Sequence, residues 1–213
     1  MKKFLLIAPL ALIAACQQQA STPAAGSATV DPLTVTGALL VTAPDGSQSL
    51  NVIRDDGTYY ETQGAMSTGK WAAQDGKICI TPAAANAQAN CFGFSTVGDD
   101  GTYMTTGGAG AGIKVKRIDQ DDTAGSTPEH QVGAYLITET DGSQTIAVHS
   151  KNGTYHEAGF SGQGTSRVAD GKRCFDPAGD APETCSSAGD VYADGAFTYH
   201  DADGGTGLVQ PLI

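Results

Sequence analysis

The sequence predicts an all-β protein: two tandem small antiparallel β-meander units of about eight short strands each, closed as small barrels or stacked as sandwiches. Three observations predict it. First, the stretch Gly37 to Tyr59 (GALLVTAPDGSQSLNVIRDDGTY) recurs without a gap 96 residues later, from Gly133 to Tyr155 (GAYLITETDGSQTIAVHSKNGTY). Both copies keep an Asp-Gly-Ser-Gln turn and a Gly-Thr-Tyr after the next turn, the mark of a duplicated unit. Second, the 213 residues include 28 glycines, and only 16% are charged and 7% aromatic, which suits short strands joined by tight turns. Third, Cys79 and Cys91 in one copy match Cys174 and Cys185 in the other. Units of this size bury limited surface and often need covalent staples.

The chain opens with the basic Met1-Lys2-Lys3, and Phe4 to Ala15 is an apolar run too short for an ordinary membrane span. It ends in Leu12-Ile13-Ala14-Ala15-Cys16. This resembles the lipobox of bacterial lipoprotein signals, in which small residues precede an invariant cysteine. The resemblance covers residues 1–16 and implies cleavage of a signal peptide, residues 1–15, and lipidation of Cys16. More than one acyl chain gives stable anchoring to a membrane. Gln17 follows; the absence of an Asp there implies, by the enterobacterial sorting rule, the outer membrane of the bacterial envelope. Residues 16–32 read as a flexible tether of Gln, Ala, Ser, Thr and Pro.

The first β unit is expected over residues 33–118. Leu39 and Val41 alternate before Asp45-Gly46, and Leu50 and Val52 alternate after it. A two-residue turn there pairs Val41 with Leu50 and Leu39 with Val52, placing all four on the core face. The same geometry at Asp56-Gly57 pairs Arg54 with Tyr59 and Val52 with Glu61. At Asp75-Gly76 it pairs Trp71 with Ile80 and Ala72 with Cys79. Ile78, Ile80, Phe92 and Phe94 then face the core, and Cys79 and Cys91 face outward. Asp100-Gly101-Thr102-Tyr103 starts another strand, and Ile113 to Ile118 makes the last.

Residues 119–131 form an acidic, polar linker with Gly125 and Pro128 near its middle. Residues 132–213 repeat the plan, with Tyr135, Ile137, Ile146, Val148 and Tyr155 on the core face. Asp170-Gly171 pairs Ser166 with Phe175. Ser186 and Ala188 replace Phe92 and Phe94, so the second core is expected to be thinner and less stable. Pairing within each unit, Cys79 with Cys91 and Cys174 with Cys185, follows from the repeat. Each bridge contributes ~3 kcal/mol in the chain-entropy model. A four-cysteine zinc site is disfavoured, because the close Cys-x-x-Cys spacing is missing.

Charge and motif content narrow the function. The full chain has 12 Lys and Arg against 23 Asp and Glu; without Lys2 and Lys3 the balance is 10 against 23, a net charge of −13. Such a surface repels phosphate backbones and argues against nucleic acid. A two-residue turn at Asn152-Gly153 places His149 and His156 opposite each other on an outer face, close enough to share a transition metal. The alternative is an exposed polar pair, favoured because no third ligand can be placed. Glu61 and Glu157 occupy matching core-face positions, where a carboxylate either binds a ligand after a pKa rise or reaches solvent at a strand end. Asp201, Asp203 and Gly204 resemble part of a calcium loop, but Tyr199 stands where an oxygen ligand belongs and a turn is the better reading. Gly107 to Gly112 lacks the Lys-Ser/Thr of a phosphate loop, and Ser161 lacks a nucleophile-elbow context.

No catalytic motif emerges, so the expectation is a non-enzymatic, lipid-anchored binding module without a cofactor. Its partner would be an envelope or extracellular protein. In architecture it looks like the small β-barrel lipoproteins that inhibit lysozymes or proteases, a comparison that rests on anchor, strand count and hairpin disulfide and lacks their inhibitory loops. The alternatives are a periplasmic carrier of a metal or small ligand and a structural envelope lipoprotein.

Overall fold

The computed structural model describes residues 35–63, 65–95, 97–98, 102–107, 111–118, 132–150, 152–158 and 163–213. The signal peptide, Cys16, the tether, the linker 119–131, Ser161 and residues 108–110 of the glycine tract lie outside the described residues.

Sixteen strands form two closed antiparallel barrels of eight. The first barrel comprises β1 (Gly37–Thr42), β2 (Gln48–Ile53), β3 (Thr58–Gln63), β4 (Ala65–Gln74), β5 (Lys77–Pro82), β6 (Asn90–Phe94), β7 (Thr102–Thr106) and β8 (Lys114–Arg117). The second comprises β9 (Gly133–Glu139), β10 (Gln144–His149), β11 (Thr154–Glu157), β12 (Gln163–Ala169), β13 (Lys172–Asp176), β14 (Thr184–Val191), β15 (Phe197–Asp201) and β16 (Thr206–Pro211). Each is a meander whose last strand pairs with its first, β8 on β1 and β16 on β9. Closure leaves no unpaired sheet edge.

Turn length sets the register, and here the expectation fails at four hairpins. Asp75-Gly76 and Asp170-Gly171 are the expected two-residue turns, with φ positive at both residues, and Trp71 pairs with Ile80 and Ser166 with Phe175. Asp45-Gly46 instead belongs to a three-residue loop. The Ala43 N–H donates to the Ser47 carbonyl (2.8 Å), the Gly46 N–H donates to the Ala43 carbonyl (2.9 Å), and Gly46 has a φ of 86°. The Asp45 carboxylate accepts from the Ser47 N–H (2.9 Å) and hydroxyl (2.7 Å). Asp56-Gly57, Asp141-Gly142 and Asn152-Gly153 repeat this design, with Thr58, Ser143 and Thr154 as donors.

The extra residue slips each ladder by one. Leu40 pairs with Leu50, Ala38 with Val52, Ile53 with Tyr59, and Asn51 with Glu61. A slip of one exchanges the faces of a strand. Leu39 and Val41 point into the first barrel with Ile53, Tyr59, Ile78, Phe94 and Tyr103, and Trp71, Ile80 and Phe92 complete that interior. The Trp71 indole N–H donates to the Arg54 carbonyl (2.7 Å). Leu50 and Val52, expected inside, face outward.

Their matching residues Ile146 and Val148 also face outward, and the four meet. One buried cluster joins Ala38, Leu50, Val52 and Ile118 of the first barrel to Ala134, Ile146, Val148 and Leu212 of the second. Val52 and Val148 are both 0% exposed. The same face of each repeat thus packs on its copy, an isologous contact within one chain. Every position of β2 after Gln48 is buried, toward the interior or toward the other barrel.

The disulfides are as expected, Cys79–Cys91 and Cys174–Cys185, each joining directly opposed residues of neighbouring strands. Three tyrosines, Tyr59, Tyr155 and Tyr199, lie across glycines of the next strand, Gly69, Gly164 and Gly207. A Cβ on Gly69 would lie 2.6 Å from Tyr59 Cε1, and one on Gly164 would lie 2.3 Å from Tyr155 Cε1. Only glycine lets the ring cross the strand so closely.

Candidate functional site

The two interiors share a frame and differ in filling. The ladder places Ser166, Ser186 and Ala188 where the first barrel has Trp71, Phe92 and Phe94. Three large aromatics become two hydroxyls and a methyl, and the second barrel holds an open cavity of about 560 Å³ lined in part by Ser186 and Ala188. That lies within the range of small-molecule sites. Tyr135, Ile137, Phe175, Phe197 and Val209 supply its apolar wall.

His149 lies on the buried side of this cavity. Its ring centroid is 5.4 Å from Phe175, 5.7 Å from Tyr135 and 6.2 Å from Tyr155. The side chain is 7% exposed, and its Nδ1 has no hydrogen-bond partner. Burial, and then the neighbouring Arg173 guanidinium, pull its pKa down to about 3, so the ring is neutral at ordinary pH. Arg173 also lines this end, 6.0 Å from the Phe175 ring centroid, and donates to Ser166 Oγ (3.3 Å).

The opposite end is acidic and open. Glu139, Glu157 and Asp201 are the last residues of β9, β11 and β15, so they gather where the connecting loops leave the barrel. All three line the cavity with the exposed Asp203. Burial pushes Glu157 up to about 7, with further contributions from Glu139 and Asp201. Asp201 is raised by burial, then by Glu139 and Asp203. The Tyr199 hydroxyl donates to Glu139 Oε2 (2.5 Å), and burial followed by that bond raises the phenol. The raised Glu157 and Asp201 mark a cluster of like charges in a partly dry place.

Glu61 has the matching interior position in the first barrel. Burial raises it, but a hydrogen bond with Asn51 opposes the rise. Ala147 takes the place of Asn51 beside Glu157, so that amide is missing in the second barrel. Arg54 pairs with Asp56 (3.0 Å).

The two histidines are not brought together. His149 pairs with Tyr155 and His156 with Val148, which puts the two rings on opposite faces of the sheet. The three-residue Asn152-Gly153 loop is the cause. His156 lies outside the barrel, half-buried, with its pKa lowered by burial and then by Lys116 of the first barrel. Among the described residues, the trio of potential ligand atoms within 4.8 Å of one another is Cys174, Glu183 and Cys185. Those sulfurs are bonded to each other, and Glu183 pairs with Arg167 (2.8 Å). The Asp201 to Gly205 segment is a turn, closed by the Gly204 N–H donating to the Asp201 carbonyl (3.1 Å).

Sequence reasoning singled out Glu157 and His149 but missed Glu139, Arg173, Tyr199 and the cavity-facing side of Asp201. The replacement of Phe92 and Phe94 by Ser186 and Ala188 was the available signal; a thinner core and a cavity are the same observation. Comparison with family models, with curated proteins and with solved structures gave no match.

Proposed function

We propose that this protein is a lipid-anchored, non-enzymatic binding protein of the bacterial envelope whose second barrel carries a small ligand. The observation behind this reading is the hollow interior. A repeat that keeps the barrel frame but replaces Trp71, Phe92 and Phe94 by Ser166, Ser186 and Ala188 has exchanged core packing for room. Cavities lower stability, so one with polar groups at both ends fits ligand carriage better than scaffolding. The sequence of residues 1–16 supports a lipid anchor at Cys16, and the two disulfides agree with an oxidising compartment. Docking of an envelope protein is the weaker reading, because the apolar outer face it would use is covered by the barrel–barrel contact.

The test is to refill the barrel. The double variant Ser186→Phe with Ala188→Phe restores the residues of the first repeat. Wild type and variant would be purified natively from envelopes and their small-molecule contents compared by mass spectrometry. A compound present with wild type and absent from the variant supports carriage. Identical contents, with a protein co-purifying equally with both, would return the function to protein docking.

A further inference from the structure

The cavity is polar in a specific way, and that polarity selects a class of ligand. This inference rests on the ligand-carrying reading of the second barrel and goes on to say what the ligand is. We propose that the cavity takes an organic cation, a molecule with an ammonium or amidinium group on an apolar, aromatic-sized body. The cationic group is held at the open end by Glu139, Glu157 and Asp201. The body lies along Tyr135, Phe175 and Phe197, with its far end toward Arg173 and His149.

Four observations carry this. Three carboxylates converge on one end of the cavity, and a fourth, Asp203, stands at its rim. A positive charge among them relieves their repulsion, and the partly desolvated site strengthens the attraction. The inner end holds the opposite charge, Arg173, beside the neutral His149. The cation therefore goes to the open end, and the field fixes the orientation. His149, 7% exposed and with its Nδ1 unpartnered, lines the same inner end and adds to its polarity. Lastly, the acids do not suit a single metal ion. Among the described residues, the trio of ligand atoms within 4.8 Å does not include Glu139, Glu157, Asp201 or His149. Metal coordination needs donors within about 2–2.6 Å of one centre. Spread carboxylates suit a larger cation with several N–H donors, and the aromatic wall suits its body.

The test uses the full mature chain with its disulfides and three fluorescent probes on one scaffold. Dansylcadaverine is the cation, dansyl hexylamide the neutral counterpart, and dansyl aminohexanoate the anion. Binding is followed by dye fluorescence in the wild type, Glu157→Gln, Asp201→Asn and the filled Ser186→Phe with Ala188→Phe variant. Asp201 is exposed, so its variant tests the charge without disturbing a buried group. The expected result is tighter binding of the cation than of either counterpart by about tenfold, the scale of one charge-assisted hydrogen bond. Either acid variant should reduce that preference while leaving the neutral probe unchanged, and the filled variant should bind none. Equal binding of all three, a preference for the anion, or displacement of the cation by stoichiometric zinc chloride would overturn the organic-cation assignment and leave carriage standing. No binding to wild type, or equal binding by the filled variant, would overturn both.

Discussion

Replacing His149 by isoleucine should make the protein gain stability in acid, where the wild type is nearly indifferent. Ile53 already holds the matching position of the first barrel, so the substitution fits the frame. In the wild type the buried ring has a folded pKa of about 3 against an ordinary 6.5. The unfolded chain therefore takes up a proton below pH 6.5 that the folded chain refuses. That contribution to stability is complete above 6.5 and falls as the pH drops toward 3. Each pH unit is worth about 1.4 kcal/mol, so about 2 kcal/mol is lost by pH 5. Glu157 works in the opposite direction, with a folded pKa of about 7 against an ordinary 4.5. Its contribution is complete below 4.5 and is lost as the pH rises through 7. Acidification from pH 7 to 5 thus returns up to about 2 kcal/mol, less the screening at the open end of the cavity. The two nearly offset, and wild-type stability should be almost flat between pH 5 and 7. His149→Ile should become more stable on acidification over that range, and Glu157→Gln should become less stable. Urea unfolding followed by far-ultraviolet circular dichroism at pH 5, 6 and 7 reads all three. Parallel pH profiles for the three proteins would refute the placement of both side chains in the cavity.

Other expectations follow from the same structure. Gly164→Ala puts a methyl 2.6 Å from the Asp176 carbonyl and 2.3 Å from Tyr155, and should cost about 1–3 kcal/mol by urea titration; an unchanged midpoint would contradict the tyrosine crossing. Replacing Cys174 and Cys185 by serine should cost ~3 kcal/mol, read as a lower melting temperature that the wild type reproduces only when reduced. Val148→Asp buries a carboxylate in the barrel–barrel contact and should separate the barrels, seen as a larger maximum dimension in small-angle scattering. The amino-terminal peptide of the mature protein should begin at Cys16 and carry acyl chains, and Cys16→Ser should leave the chain in the soluble fraction.

The duplicated stretch, the Asp-Gly turns and the matched cysteines made two β-meanders and both disulfides legible before any coordinates. Which face each strand turns inward was not legible, for two physical reasons. Asp-Gly suits both a two-residue and a three-residue hairpin, and the choice lies in the next residue. Ser47, Thr58 and Thr154 donate back to the Asp or Asn side chain and hold the longer loop, whereas Lys77 and Lys172 follow the short ones. The apolar pattern offered no correction. Leu50 and Val52 are buried against the other barrel while Asn51 and Ile53 are buried inside, so either register hides apolar residues. The same slip separates His149 from His156. The cavity acids were hidden for a different reason. Glu139 and Asp201 stand directly before turns, where an acidic residue ordinarily means a solvated loop rather than the rim of a site.

The contact between the barrels has a consequence for how such a chain can change. A face that is complementary to itself makes identical copies associate at a rate and an extent set by their concentration. With both copies on one chain, each meets its partner at an effective concentration fixed by the covalent connection, however dilute the protein. The two halves are also released from having to be the same. In a symmetric pair, emptying one interior empties both and doubles the loss of packing. In the fused pair the first barrel keeps Trp71, Phe92 and Phe94, and the shared face holds the hollow barrel against a solid one. One half can then vary its lining residue by residue, taking up new chemistry, while the other preserves the fold they once had in common.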